Sequence, residues 1–157
     1  MTTSVRTLRP HDGATAAFLH AKCFDALRER AWTAEEFTGL LATPGCFALM
    51  LIADGRPCGL SMARVAADEA EVLTLCVVPE ARRRGGALRL LSVLERRCRR
   101  RGARSLFLDV AEDNLPARCL YGARGFTVVG RRDAYFDRGK QGRAAALTMR
   151  LDFMPGE

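Results

Sequence analysis

The 157-residue sequence contains no run of eighteen apolar residues, so nothing in it reads as a membrane-spanning helix. Its first twenty residues, MTTSVRTLRPHDGATAAFLH, lack the charged-then-apolar order of a secretory signal. A soluble, cytoplasmic protein is expected. Lysine is nearly missing, with Lys22 and Lys140 the only two among 25 basic residues, which face 18 acidic ones for a net charge of +7. Codon bias toward arginine explains that balance as well as nucleic-acid binding does. Aromatic residues make up only 7%, too few for the stacking platforms of single-strand binders. The cysteines at 23, 46, 58, 76, 98 and 119 include no C-x-x-C pair and are widely and irregularly spaced. They read as small buried hydrophobes rather than a disulfide framework. None stands in a Cys-His setting, which removes the usual sign of covalent catalysis, and no metal is implied. His11 and His20 read as ordinary surface or core histidines.

A hydrophobic content of 48% suffices for one buried core in a chain this long. A single domain over 1–157 is expected. Ser4–Leu8 predicts a first strand, and Asp12 a cap for a helix carrying the apolar residues Ala16, Phe18, Leu19, Cys23 and Leu27. Trp32 follows in a loop. Thr33 and Glu36 have capping-box spacing, opening a helix that runs to the Thr43-Pro44-Gly45 breaker. Asp54-Gly55 between two apolar runs predicts a hairpin of Phe47–Ala53 and Pro57–Val65, and Glu71–Val78 adds a third strand.

Next comes PEARRRGGALRLL, in which three arginines and two glycines lead into a helix over Gly86–Arg101. Its apolar positions Leu90, Leu91, Leu94 and Cys98 fall on one face, and Gly102 suits the residue after its end. A strand, a glycine-rich turn and a helix start in that order make an anion site, because the first helical N–H groups lack partners and the macrodipole is positive there. The spacing fits neither G-x-x-x-x-G-K-[ST] nor G-x-G-x-x-G. What remains is R-x-x-G-x-A at Arg82, Gly85 and Ala87. Beyond it lie a strand at Ser105–Val110, a helix capped by Asn114 with Pro116 in its first turn, and strands at Phe126–Gly130 and Ala145–Leu151 joined by a polar loop.

The R-x-x-G-x-A motif, the run SLFLDVAEDNLPARCLYGARGF, Trp32 and the late RRDAYF together resemble the GNAT family of N-acetyltransferases. The likeness spans essentially the whole chain and is strongest from Asp68 to Phe136. Within the family it is nearest the branch that acetylates the N-terminal alanine of a small-subunit ribosomal protein. The resemblance implies the α/β GNAT fold, a mixed, mostly antiparallel central sheet splayed in the middle and flanked by about four helices. It also implies acetyl-CoA as cosubstrate and a protein N-terminus, possibly of a ribosomal protein, as acceptor, with no membrane and no nucleic acid required.

By the same resemblance, Leu75, Cys76 and Val77 would offer backbone groups to the pantetheine arm. Arg82, Arg83, Arg84, Gly85, Gly86, Ala87 and Leu88 would wrap the pyrophosphate, and Asn114 would contact the cofactor as well as cap its helix. Asp109 would be the base, directly or through water, and Tyr121 the acid; Glu71 is the second candidate for holding the amine or a water. Trp32 and Tyr135 would wall the acceptor groove. Two departures stand out. The branch carries glutamate where this chain has Asp109, and a second tyrosine where it has Phe136. An N-terminal amine, of pKa near 7.7–8.0 against about 10.4 for lysine, reaches its neutral form about 3.5 kcal/mol more easily, so a modest base suits it. Two rivals stay open: a lysine or small-molecule acceptor, and a non-catalytic RNA-binding module built on the basic run Arg96–Arg101.

Overall fold

The structure, a computed structural model, describes residues 2–24 and 30–155. Among them, seven strands form one sheet in the order β1-β2-β3-β4-β5-β7-β6. β1 is Thr3–Thr7, β2 Cys46–Ala53, β3 Arg56–Ala66, β4 Glu69–Val77, β5 Ser105–Ala111, β6 Thr127–Asp137 and β7 Arg143–Asp152. Four helices accompany them: α1 Gly13–Phe24, α2 Ala34–Leu41, α3 Gly86–Arg100 and α4 Leu115–Ala123. The β2–β3 hairpin turns at Asp54 and Gly55, with φ 49° and 78°, the two positive values that a twist-matched two-residue turn requires. Thr33 and Glu36 make the reciprocal capping box at the start of α2.

One pairing sets the architecture. β4 runs parallel to β5 for three residues, Glu69–Glu71 against Ser105–Phe107, and then the two strands part. β4 carries an extra residue at Leu73, since Met62 faces Thr74 while Ala63 faces Val72. Such a bulge bends the strand and increases its twist. β5 meanwhile stays paired with β7 as far as Ala111. The result is a fork that opens toward the C-terminal end of β4.

The two faces of the sheet carry different helices. Thr74 meets His20 of α1, whereas a Cβ built at Gly59, opposite Val77, would lie 3.3 Å from Leu90 of α3. Thr74 and Val77 differ by an odd number of positions on one strand, so α1 and α3 cover opposite faces. Leu90, Leu91, Leu94 and Cys98 are fully buried, as the α3 periodicity predicts. Several outward arginines are engaged within the fold: Arg97 donates to Thr7 Oγ1 at 2.8 Å, and the Arg101 guanidinium sits 4.5 Å from the centroid of Phe47.

Three expectations need correction. Asp12 does not cap α1 directly; it closes a 3₁₀ turn, Pro10–Asp12, ahead of it. Its carboxylate accepts from the Arg9 N–H at 2.8 Å and from both terminal nitrogens of Arg6 at 2.9 and 3.0 Å, and the Arg6 contact holds its pKa down at about 2. Phe18, one of the apolar residues of α1, is 64% exposed, with the Lys22 ammonium over its ring; Leu27 lies outside the described residues. Cys119 is exposed and Cys46 half-buried, while the other four cysteines are buried. Finally, RRDAYF is not loop. β6 continues through it, with register slips around Val128–Gly130 and Arg132–Phe136 and a left-handed Ala134 at φ 51°. This edge strand is exposed on both faces, so it leaves no hydrophobic alternation to read, and pairing with β7 decides its conformation.

Candidate active site

The fork holds a cavity of about 350 Å³ whose walls come from α1, the chain before α2, β4, β5, α4 and β6. Trp32, Leu75, Asp109, Asn114, Tyr121 and Tyr135 all line it. Phe136 lines it as well. Glu71 does not: it is exposed at the last position where β4 still pairs with β5, below the point where the strands diverge.

Asp109 alternates with the buried Leu108 and Val110, which turns its side chain away from theirs. Thr148, its register partner on β7, donates its hydroxyl to Asp109 Oδ1 at 2.7 Å. Arg132 stands 3.9 Å from Oδ2. The carboxylate is therefore fixed through one oxygen and 17% exposed, a geometry suited to taking a proton through a water. Tyr121 comes from α4, where Asn114, Ala117 and Tyr121 share the face toward the cavity. Asn114 Oδ1 accepts from the Ala117 N–H at 3.3 Å, so it caps the helix and lines the site at once. Tyr121 is buried against Phe126, with ring centroids 5.6 Å apart. Burial pushes its phenol up to about 12. Among the described residues nothing hydrogen-bonds its hydroxyl, which leaves it for a ligand.

The other arm of the fork presents backbone. The Val78 N–H donates to Cys58 O at 2.9 Å, so by alternation Cys76 faces β3, where it pairs with Leu60, while Leu75 and Val77 turn their amides to the edge that β5 has left. Cys76 thus drops out as a backbone contact, and Leu75 and Val77 remain. The Arg82 side chain is also reassigned: its Nε donates to Val77 O at 2.8 Å and its guanidinium reaches Cys23 O at 3.4 Å. It braces the turn instead of facing an anion.

Beyond Arg82 the chain passes through left-handed Arg83 at φ 64° and Gly85 at φ 79°, and α3 begins. The first helical bond runs from the Arg89 N–H to Gly85 O. Among the described residues no carbonyl accepts from the N–H groups of Gly86, Ala87 or Leu88. Three converging donors at a positive helix end fit a pyrophosphate. Gly86 also packs closely, since a Cβ there would come within 2.6 Å of Leu51 Cδ2 in the core and would have to displace that methyl. Gly86→Val is expected to lower unfolding free energy by about 1–3 kcal/mol and to raise the KM for the acetyl-CoA that the resemblance implies, because it pushes the helix start outward. Denaturant titration and steady-state kinetics read the two effects.

Sequence reasoning missed the polar cluster where α1 and the chain before α2 wall the cavity. The His20 ring stacks on Trp32 at 4.9 Å and lies 4.4 Å from Phe24. The Trp32 backbone N–H donates to His20 Nδ1 at 3.0 Å, and Nε2 stands 3.2 Å from Thr74 Oγ1. Burial holds the imidazole down to a pKa of about 4, so it is neutral near pH 7. The available signals were slight: one hydroxyl in the apolar run EVLTLCVV, and another, Thr148, in AAALTMRL. Trp32 proves to be both cavity wall and packing anchor, edge-on to Phe37 at 5.3 Å.

A forked sheet with free strand amides on one arm, a donor-rich helix start at its end, and a carboxylate and phenol across the gap defines an acyl-transfer site. The Acetyltransferase (GNAT) family pattern matches residues 14–126, and the chain belongs to that family. It is an acetyl-CoA-dependent N-acetyltransferase. It is 34% identical over 103 residues to the ribosomal protein bS18-alanine N-acetyltransferase of Salmonella typhimurium, 66% of this chain and 69% of that protein. The Escherichia coli protein of the same name is 31% identical over 101 residues, 64% of this chain and 68% of its own. The crystal structure of the Escherichia coli ribosomal-protein-S18-alanine N-acetyltransferase superposes with a TM-score of 0.88 at 25% identity, covering 99% of this chain and 97% of that one. Among the described residues no helix is long and apolar enough to cross a membrane, and no cluster of His, Cys, Asp or Glu could hold a metal ion.

Proposed function

We propose that the chain is a single acetyltransferase domain that transfers acetyl to the α-amine of a protein N-terminus, alanine at the first position, with a ribosomal protein as the physiological acceptor. The observation that carries this reading is the fork cavity, which gathers Asp109 and Tyr121 beside the free edge of β4. The named activity of the relatives supports the choice of acceptor. Bound acetyl-CoA supplies an activated thioester carbonyl and a thiolate leaving group.

The amides of Leu75 and Val77 align the pantetheine arm, and the N–H groups of Gly86, Ala87 and Leu88 hold the diphosphate. Asp109, tethered by Thr148, takes the amine proton through a water that makes up for the missing methylene. Tyr121 directs its hydroxyl to the sulfur as negative charge develops there. Transfer is direct: Cys23, Cys58, Cys76 and Cys98 are buried, and Cys23 and Cys76 hydrogen-bond to each other.

A panel of peptides beginning with alanine, serine or methionine, together with an N-blocked peptide containing lysine, tests the acceptor by release of thiol from acetyl-CoA. The free alanine terminus is expected to react fastest. Preference for the blocked lysine peptide would overturn the reading. The basic run gives the RNA-binding alternative little support, because Arg97, Arg99 and Arg101 each contact groups within the fold.

A further inference from the structure

The His20–Thr74 contact places an uncommitted hydrogen-bond donor in the cavity. A backbone N–H can only donate, so the bond from Trp32 makes His20 Nδ1 the acceptor. The single proton of the neutral imidazole then sits on Nε2 and is given to Thr74 Oγ1 at 3.2 Å. Thr74 is 93% buried (7% exposed) and lines the cavity. Its oxygen is already an acceptor, and among the described residues no group accepts its hydroxyl hydrogen. A buried hydroxyl whose hydrogen has no protein partner, at the wall of a binding cavity, points to a ligand oxygen.

Which oxygen follows from the two parities of β4. In the proposed binding mode the thioester carbonyl would lie along the edge where Leu75 and Val77 present their amides, and a backbone N–H of that edge would serve it. Thr74 belongs to the opposite set and projects toward α1, on the side of Trp32 and Phe24. The attacking nitrogen keeps its lone pair for the thioester and its protons for Asp109, so a donor beside it has no use for the amine. The nearest oxygen on any peptide acceptor is the carbonyl of its first residue.

We propose that Thr74 donates a hydrogen bond to the first carbonyl of the acceptor peptide, and that His20 is the positioning residue that fixes the hydroxyl in this orientation. The bond sets the rotation about the first Cα–C bond and so the heading of the α-amine. This rests on the reading of the acceptor as a peptide N-terminus. It also supplies a selectivity that Asp109 and Tyr121 lack, since a lysine side chain or a simple amine has no carbonyl at that distance from its nitrogen.

The test is steady-state kinetics of Thr74→Val and Thr74→Ser with the alanine-first peptide, varying peptide and acetyl-CoA separately. Thr74→Val, which keeps the shape and removes the hydroxyl, is expected to raise the peptide KM about tenfold, with kcat and the acetyl-CoA KM within about twofold. Thr74→Ser is expected to stay near wild type. An unchanged peptide KM in Thr74→Val, a loss confined to kcat or to the acetyl-CoA KM, or an equal loss in Thr74→Ser would each overturn the assignment. Absence of wild-type turnover on any free-amine peptide would instead overturn the acceptor reading and this bond with it. Turnover by wild type with an indifferent Thr74→Val removes only the bond.

Discussion

Tyr121→Phe is expected to lower kcat by about 10²- to 10³-fold while the KM for acetyl-CoA changes less than about twofold. The phenol is buried against Phe126, and phenylalanine keeps that packing, so the variant loses only the hydroxyl. The size of the effect depends on what the hydroxyl does. With Tyr121 pushed up to about 12 by burial and a thiol near 8.5, complete proton transfer to the departing sulfur is uphill by roughly 3.5 pH units, about 5 kcal/mol. That is too steep for the proton to move fully in the slow step. In the proposed mechanism Tyr121 instead donates a charge-assisted hydrogen bond that strengthens as the thiolate forms, and solvent completes protonation afterward. The pH profile gives an independent check. A group raised to about 12 stays protonated through the working range, so wild type should show no alkaline fall in kcat from Tyr121 below pH about 11. Comparable kcat for wild type and Tyr121→Phe would remove Tyr121 from the chemistry.

Much of this site is legible from sequence because its parts are local. The proposed anion cradle needs Gly85 at positive φ, Gly86 against Leu51 and an amphipathic α3, all within a few residues, and each leaves a compositional mark. Asp109 and Tyr121 are named by the family resemblance, and the strand and helix that carry them do turn both toward the cavity. The illegible parts are those that long-range pairing decides. Cys76 and Leu75 look alike as members of an apolar strand, and only the register with β3 shows that their amides point in opposite directions. Arg82 reads as an anion ligand until the Val77 and Cys23 carbonyls are seen to hold it. β6 lacks alternation because both of its faces are exposed, so its passage through Tyr135 and Phe136 is fixed by β7 alone. Thr74, His20 and Thr148 are isolated polar residues in apolar surroundings, and their hydrogen bonds span 39 and 54 residues.

Asp109→Asn should reduce kcat/KM for the alanine-first peptide about 10²-fold at pH 7, with the deficit narrowing by about tenfold at pH 9. Asparagine preserves the shape and still accepts the Thr148 hydroxyl, so the fold and the tether survive while the proton acceptor is lost. The narrowing follows from the acceptor. An N-terminal amine of pKa about 7.7–8.0 is roughly one-tenth to one-sixth neutral at pH 7 and more than nine-tenths neutral at pH 9, so solvent takes over part of the work of Asp109 as pH rises. A lysine acceptor near 10.4 is still only about 4% neutral at pH 9, and its deficit would persist. The pH dependence of one variant therefore reports both the base and the class of amine. Asp109→Glu restores the length usual in the branch, and if a water bridges the native aspartate, it should act within a few-fold of wild type. Wild-type rates for Asp109→Asn at pH 7 would move the base elsewhere, and a deficit constant from pH 7 to 9 would assign Asp109 to holding the peptide instead of its proton.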